Sequence, residues 1–304
     1  MLIQAVNSYL KLRRAAGFQL RDTEALLKEF ACFATERGEI HIKVNTALAW
    51  AGRASSLRQR ARRLSCLILF ARYLRAEDAG HQVPPEGVFA HHPRSRRLPH
   101  IFTPAQIAQI VAEAKRLRPT QSLRPHTYHT LFGLLAACGL RISEALALRI
   151  DDIRSDGLYI RDTKCRKSRL VPLHPTTARQ LALYLHRRQQ LAGAETRVFV
   201  SLRRKSLHYA TVNKTFLFLL RSLGLRPGPG EPGPRLHDLR HTFAVRALES
   251  SPDGRTRISK HMLALSTYLG HAHITDTYWY LQTTPHLMTD IADLCEAYLK
   301  GEQP

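Results

Sequence analysis

The chain has 304 residues, of which 44% are hydrophobic and 23% charged, the make-up of a folded globular protein and not of a disordered one. Its 46 Lys+Arg against 24 Asp+Glu leave a formal net charge of +22, a field that draws in a polyanion such as nucleic acid or an anionic lipid surface. No apolar run approaches the roughly 18 residues that span a bilayer, and the first 30 residues alternate charged and apolar positions, so neither a membrane span nor a signal peptide is expected.

The length predicts two domains. The prolines, glycines and basic residues of AGHQVPPEGVFAHHPRSRRL (79–98) mark the linker, and both sides of it carry more base than acid. In chain order, Leu2, Val6, Tyr9 and Leu10 make a helical stripe that Gly17 ends. Asp22 is expected to cap a second helix with Leu27, Phe30, Phe33 and Ala34 on one face, closed by Gly38. Asn45 is placed as the cap of a short third. A long fourth turns Leu57, Ala61, Leu64, Ile68 and Leu74 inward and Arg58, Arg60, Arg62 and Arg63 largely outward. Arg58 and Arg62 on that face, and Arg94, Arg96 and Arg97 in the linker, are candidate contacts to a phosphate backbone.

Beyond the linker, Tyr128, Leu131, Phe132 and Leu135 mark a core helix running to Gly139, followed by a helix over 141–149. The period then changes. GLYIRDTK (157–164) and SRLVPLH (168–174) read as two strands joined by a basic turn, and RVFVS (197–201) as a third. Helices resume over 176–192 and 211–223, RPGPGEPGP (226–234) is a loop, and three or four more helices complete the chain. The five cysteines (Cys32, Cys66, Cys138, Cys165, Cys295) are scattered with no C-x-x-C pair. A zinc ribbon and a disulfide framework are therefore not expected, and a reducing cytoplasm is. Cys32, Cys66, Cys138 and Cys295 read as small core residues.

Five places in the second domain gather the groups that phosphate chemistry uses: Arg141 in ACGLRISEALALR, Lys164 in the strand–turn–strand, His237 and Arg240 in RLHDLRHTFA, His271 in YLGHAHIT, and Tyr280 in DTYWYLQ. Two guanidiniums hold the non-bridging oxygens of a phosphodiester as charge builds on them. Lysine or histidine supplies a proton to a leaving alkoxide. A tyrosine oxygen attacks and stays covalently attached. His237 and His241 stand at the i, i+4 spacing of two metal ligands, but there is no H-E-x-x-H and Arg240 lies between them. His271 and His273 have no evident third ligand.

In order and spacing these segments resemble the tyrosine recombinase (phage integrase) family, weakly over residues 1–98 and specifically over 136–282. The resemblance rests on CGLRISEALALR, the hairpin ending KSRLVPLH, HDLRHTFA, and LGH followed nine residues after its histidine by a tyrosine. It implies a mainly α fold with a small antiparallel β-sheet: an all-helical core-DNA-binding domain over 1–83, a linker over 84–99, and an α+β catalytic domain over 100–304. It also implies site-specific cleavage and rejoining of DNA strands through a 3′-phosphotyrosine, with neither metal nor ATP.

Carried over by position, Arg141 and Arg240 grip the scissile phosphate and Lys164 protonates the departing 5′ oxygen. His237 and His271 hydrogen-bond the phosphate or assist proton transfer, Tyr280 is the nucleophile, and Glu144 supports Arg141. Lys167 rivals Lys164, because the turn reads Thr163-Lys164-Cys165-Arg166-Lys167 without the family's usual glycine; it is otherwise a DNA contact. Tyr278 is the rival for Tyr280, and SPDGRTRISK (251–260) reads as an inserted surface loop. The implied partners are double-stranded DNA, further copies of the chain forming a tetramer at synapsis, and accessory DNA-bending proteins. A type IB topoisomerase-like relaxing enzyme and a DNA-binding regulator with a dead site are the alternatives.

Overall fold

The computed structural model describes residues 2–89, 98–161, 168–192, 195–250, 258–270, 273 and 275–281. The chain divides into two compact units, residues 1–96 and 97–304.

The first unit holds four helices: α1 (Leu2–Ala15), α2 (Arg21–Thr35), α3 (Val44–Gly52) and α4 (Leu57–Glu77). The α1 stripe of Leu2, Val6, Tyr9 and Leu10 is buried as its spacing predicts. It packs with Leu27, Phe30, Trp50, Leu67 and Phe70 in one apolar core. Two expected caps differ. α2 starts at Arg21, after Leu20 in the left-handed conformation, so Asp22 lies in the first turn and not at the cap. There its charge still favours the helix N-terminus, and its carboxylate pairs with Arg62 at 2.7 Å. α3 starts at Val44, which puts Asn45 inside the helix. In α4, Ser56 caps by accepting from Gln59 N, and Leu57, the first helical residue, is exposed instead of inward. Arg63 is not outward: it donates to Trp50 O at 3.2 Å and to Glu29 at 2.7 Å. Cys32 is exposed and not a core residue, whereas Cys138 is buried; Cys165 and Cys295 lie outside the described residues.

The second unit opens with α5 (Pro104–Ala114), a helix the sequence reading did not single out. Thr103 and Gln106 cap it reciprocally and proline takes the first helical position. α6 (Leu123–Cys138) is buried on nearly every face and shares one apolar core with Phe102, Phe199 and Phe216, the last of which meets Phe132 edge-on. α7 (Ile142–Ala147) follows, then a three-stranded antiparallel sheet of β1 (Ile153–Arg154), β2 (Gly157–Ile160) and β3 (Arg169–Val171) in that order. Its register pairs Leu158 with Val171 and Ile160 with Arg169. α8 (Pro175–Ala192), α9 (Tyr209–Ser222), α10 (Asp238–Glu249), α11 (Ile258–Leu269) and α12 (Thr275–Leu281) complete the described chain.

The third strand is therefore 153–154 and not RVFVS. Residues 197–201 make only the isolated bridges Arg149–Arg197 and Val200–Ser206. Side chains of α8 take the carbonyls a ladder would need: Tyr184 Oη donates to Val198 O at 3.0 Å, and the buried Arg188 Nε donates to Arg197 O and Val198 O. Among the described residues no helix is long and apolar enough to cross a membrane.

Candidate active site

α6 ends at Gly139, whose φ of +58° turns the chain sharply out of the helix. Two residues later Arg141 stands at the N-cap of α7, and Glu144 at the third helical position accepts from Arg141 N at 3.0 Å. The same carboxylate accepts from Arg141 Nη1 at 2.8 Å. CGLRISE thus folds its arginine and its acid onto one another.

Arg240 comes from the first turn of α10. Asp238, buried, fixes that turn by accepting from Arg235 N at 2.8 Å. Thr242 anchors the helix by donating to Asp238 O and accepting from Phe102 N. Arg240 is only 2% exposed, and its Nη1 and Nη2 donate at 2.7 Å to Gly139 O and Leu269 O. Arg141 reaches the same place: its Nη1 donates to Leu269 O at 3.3 Å and its Nη2 to Gly270 O at 3.0 Å. The two guanidiniums therefore converge on the end of α11, where helix carbonyls lack internal partners and the helix dipole is negative. Each guanidinium carries five N–H groups, more than these acceptors use.

Tyr280, on α12, is buried against Ala244, Val245, Met262, Leu265 and Leu269. Its ring lies 5.5 Å from that of His241, and its phenol is within electrostatic reach of the Arg240 guanidinium. Burial raises the phenol above its ordinary range, while the charge and hydrogen bond of Arg240, and then the charge of Arg141, oppose the rise. Burial lowers Arg240 to about 10, helped by the like charge of Arg141, so the guanidinium stays charged at neutral pH. His237, at the N-cap of α10, keeps solvent-facing surface yet is held below the usual imidazole range by the protein around its ring and then by Arg240. It is neutral near pH 7.

Arg141, Glu144, His237, Arg240 and Tyr280 are thus brought together. Lys164, Lys167 and His271, the linker residues Arg94, Arg96 and Arg97, and most of the 251–260 segment lie outside the described residues, as does the side chain of Tyr278. Arg58 and Arg62 are exposed on α4. Two residues at the site were not assigned roles from the sequence. His241 lies between His237, at 4.6 Å between ring centroids, and Tyr280. Arg169, on β3, ion-pairs Glu144. The signal for Arg169 was its alternation with the buried Val171 on a three-residue strand.

One group elsewhere has ligand-like spacing: His41, Asp78 and His81 offer nitrogen and oxygen atoms within 4.8 Å of one another. Its hydrogen bonds argue against ligation. Ile42 N–H donates to His81 Nδ1 at 3.1 Å, which puts the imidazole proton on Nε2 and leaves that nitrogen no lone pair for a metal. The trio instead fastens the end of α4 to the α2–α3 loop, together with Gln82 N donating to Ile42 O.

Comparison with known proteins fits this geometry. Residues 100–286 match the family model described as the phage integrase family. The chain is 40% identical over 297 residues to y4rB of Sinorhizobium fredii, an integrase/recombinase by name, with 94% of each chain covered. It is 29% identical to the tyrosine recombinase XerD of Brucella abortus over 86% of this chain and 84% of that one. A lambda integrase tetramer bound to a Holliday junction shares the fold, with a TM-score of 0.59 at 19% identity over 90% of this chain and 77% of that one. The paired arginine forks around a buried tyrosine, and a family match over most of the sequence, lead to one conclusion: this chain belongs to the phage integrase family, the tyrosine recombinases.

Proposed function

We propose that the chain carries out site-specific DNA recombination with Tyr280 as nucleophile and Arg141 and Arg240 as the phosphate grip. The reading rests on one pairing: the buried Tyr280 phenol lies in the field of the Arg240 guanidinium, which the Arg141 guanidinium meets at the shared Leu269 carbonyl. The phenol oxygen attacks the scissile phosphorus and the bond from phosphorus to O5′ breaks. The negative oxygens are held by N–H groups of the two forks. The phenol proton passes to His237 or His271, and O5′ takes a proton from Lys164, with Lys167 as the alternative donor. The phosphotyrosine keeps the energy of the broken bond, so a 5′ hydroxyl from a second duplex reverses the step and completes exchange.

Duplex DNA, a tetramer at synapsis, accessory bending proteins and a cytoplasmic, nucleoid-associated setting complete the proposal. The net charge of +22 supports the first of these, and the assembly of the lambda integrase relative supports the second. The domain limits follow the same reading: DNA-binding over 1–83, linker over 84–99, catalysis over 100–304.

The test uses nicked suicide duplexes drawn from a random-sequence pool, from which the cleaved fragment diffuses away and leaves an SDS-stable adduct. The parent protein should form the adduct and exchange strands with a second duplex. Tyr280→Phe should form none while binding DNA within a few-fold. An adduct from Tyr280→Phe removes Tyr280 from the role. Relaxation without exchange marks a topoisomerase-like enzyme, and binding with no adduct marks an inactive regulator.

A further inference from the structure

Arg169 has no role in the reaction just described, yet all three of its guanidinium nitrogens donate hydrogen bonds inside the site. It reaches in from β3 with 11% of its side chain exposed. Its Nη1 and Nη2 donate to the two oxygens of Glu144 at 3.0 and 2.8 Å, a bidentate fork, and its Nε donates to Tyr268 O at 2.7 Å. Three successive carbonyls at the end of α11 are thereby held by three guanidiniums: Tyr268 by Arg169, Leu269 by Arg141 and Arg240, and Gly270 by Arg141. Gly270 has a φ of +65°, and a Cβ there would come within 2.8 Å of Arg169 Nη1. Arg169 therefore forms the floor on which that turn rests.

We propose that Arg169 is a positioning residue for strand cleavage, setting the Arg141 fork through the Glu144 carboxylate and the α11 turn through the Tyr268 carbonyl. The proposal rests on the reading of Arg141 and Tyr280 given above. Its electrostatic consequence is specific. Burial is the largest influence on Glu144 and raises it; the hydrogen bonds and charge of Arg169, and then the backbone and side-chain hydrogen bonds of Arg141, outweigh burial and hold the carboxyl at about 2. Among the described residues the charged groups that act on Glu144 are Arg141 on its own element, Arg169 on β3 and Arg240 on α10, and these arginines in turn act on Tyr268 of α11, Tyr280 of α12 and His237. Without Arg169, burial is opposed by Arg141 and the more distant Arg240. The carboxyl then titrates at a higher pH and releases Arg141 as it protonates.

The experiment measures adduct formation from pH 5 to pH 8 on a suicide duplex selected with the parent protein, beside DNA binding and thermal melting. Arg169→Gln should slow adduct formation by about 10- to 100-fold at pH 7, the scale of a displaced catalytic group. Its deficit should widen several-fold between pH 8 and pH 5, with binding within a few-fold of the parent. Arg169→Lys keeps the charge and loses the fork, so its deficit should be smaller and flat with pH; it carries the test if Arg169→Gln melts below the assay temperature. A rate within threefold of the parent, a deficit equal at every pH in Arg169→Gln, or a lysine variant no better than the glutamine one overturns the proposal. Tyr280→Phe is run alongside: an adduct there sinks the site reading itself, whereas none, with a pH-flat Arg169→Gln deficit, sinks the positioning role alone.

Discussion

Arg240 Nη1 donates to the carbonyl oxygen of Gly139 at 2.7 Å, tying the first turn of α10 to the end of α6 across 101 residues of sequence. The bond depends on the backbone of Gly139. With φ at +58° that residue is in the left-handed region, and a Cβ on it would lie 2.4 Å from Phe243 Cδ1. Phe243 can yield only by disturbing its stacking on Tyr268, at 5.4 Å between ring centroids. The same glycine thus serves the helix stop, the packing beneath the site and the orientation of a buried guanidinium.

Gly139→Ala should therefore lose stability and cleavage together. Left-handed backbone costs a non-glycine residue about 1–2 kcal/mol, and displacing the phenylalanine adds to it. Urea unfolding should show a lowered midpoint with an unchanged slope. Adduct formation by the protein that remains folded should fall at least tenfold, because the Arg240 acceptor moves. A variant as stable and as active as the parent would mean that the turn relaxes freely.

Glu144 gives a pH-dependent expectation. Its carboxyl is at about 2 in the fold against an ordinary 4.5. A lowered folded-state value contributes stability that is complete above the unfolded value and is lost as pH falls towards the folded one. The window is thus between pH 4.5 and about 2. A shift of this size on a buried group corresponds to roughly 3 kcal/mol. The stability difference between the parent and Glu144→Gln, measured by urea unfolding, should be constant from pH 8 to pH 5 and shrink below pH 4.5. A difference that stays constant down to pH 3 would show that the Arg141 and Arg169 contacts do not depend on the carboxylate charge.

The helical stripes of α1 and α6 were legible because apolar residues at helical spacing leave few other ways to bury them. The core of the candidate site was legible through the family resemblance, carried by Arg141 and Glu144 in CGLRISE, His237 and Arg240 in HDLRHTFA, and Tyr280 nine residues after His271. Arg169 was not, because its partner Glu144 is 25 residues away and a strand of three residues gives too short an alternation to announce an inward arginine. His241 was hidden because α10 is buried on most of its faces, so no stripe distinguishes the side that meets Tyr280. The misplaced third strand has the same origin in long-range partners. Tyr184 and Arg188 satisfy the carbonyls of 197–198 from another element, which a local β pattern cannot reveal.

The basic face of the first unit gives the remaining prediction. Arg58 is exposed and makes no ion pair among the described residues, whereas Arg62 is paired with Asp22 while both remain largely exposed, 61% and 80% by side chain. An exposed pair of this kind is worth about 0.2–1 kcal/mol, little enough for Arg62 to exchange its carboxylate for a phosphate. Each phosphate contact releases counterions and contributes about 0.9 to the slope of log affinity against log salt. Arg58→Ala and Arg62→Ala should each flatten that slope by about this amount. Arg62→Ala should lose less affinity, since its arginine must first leave Asp22. Fluorescence anisotropy on a random-sequence duplex across a salt series measures both quantities. A slope unchanged by either substitution would take α4 off the DNA.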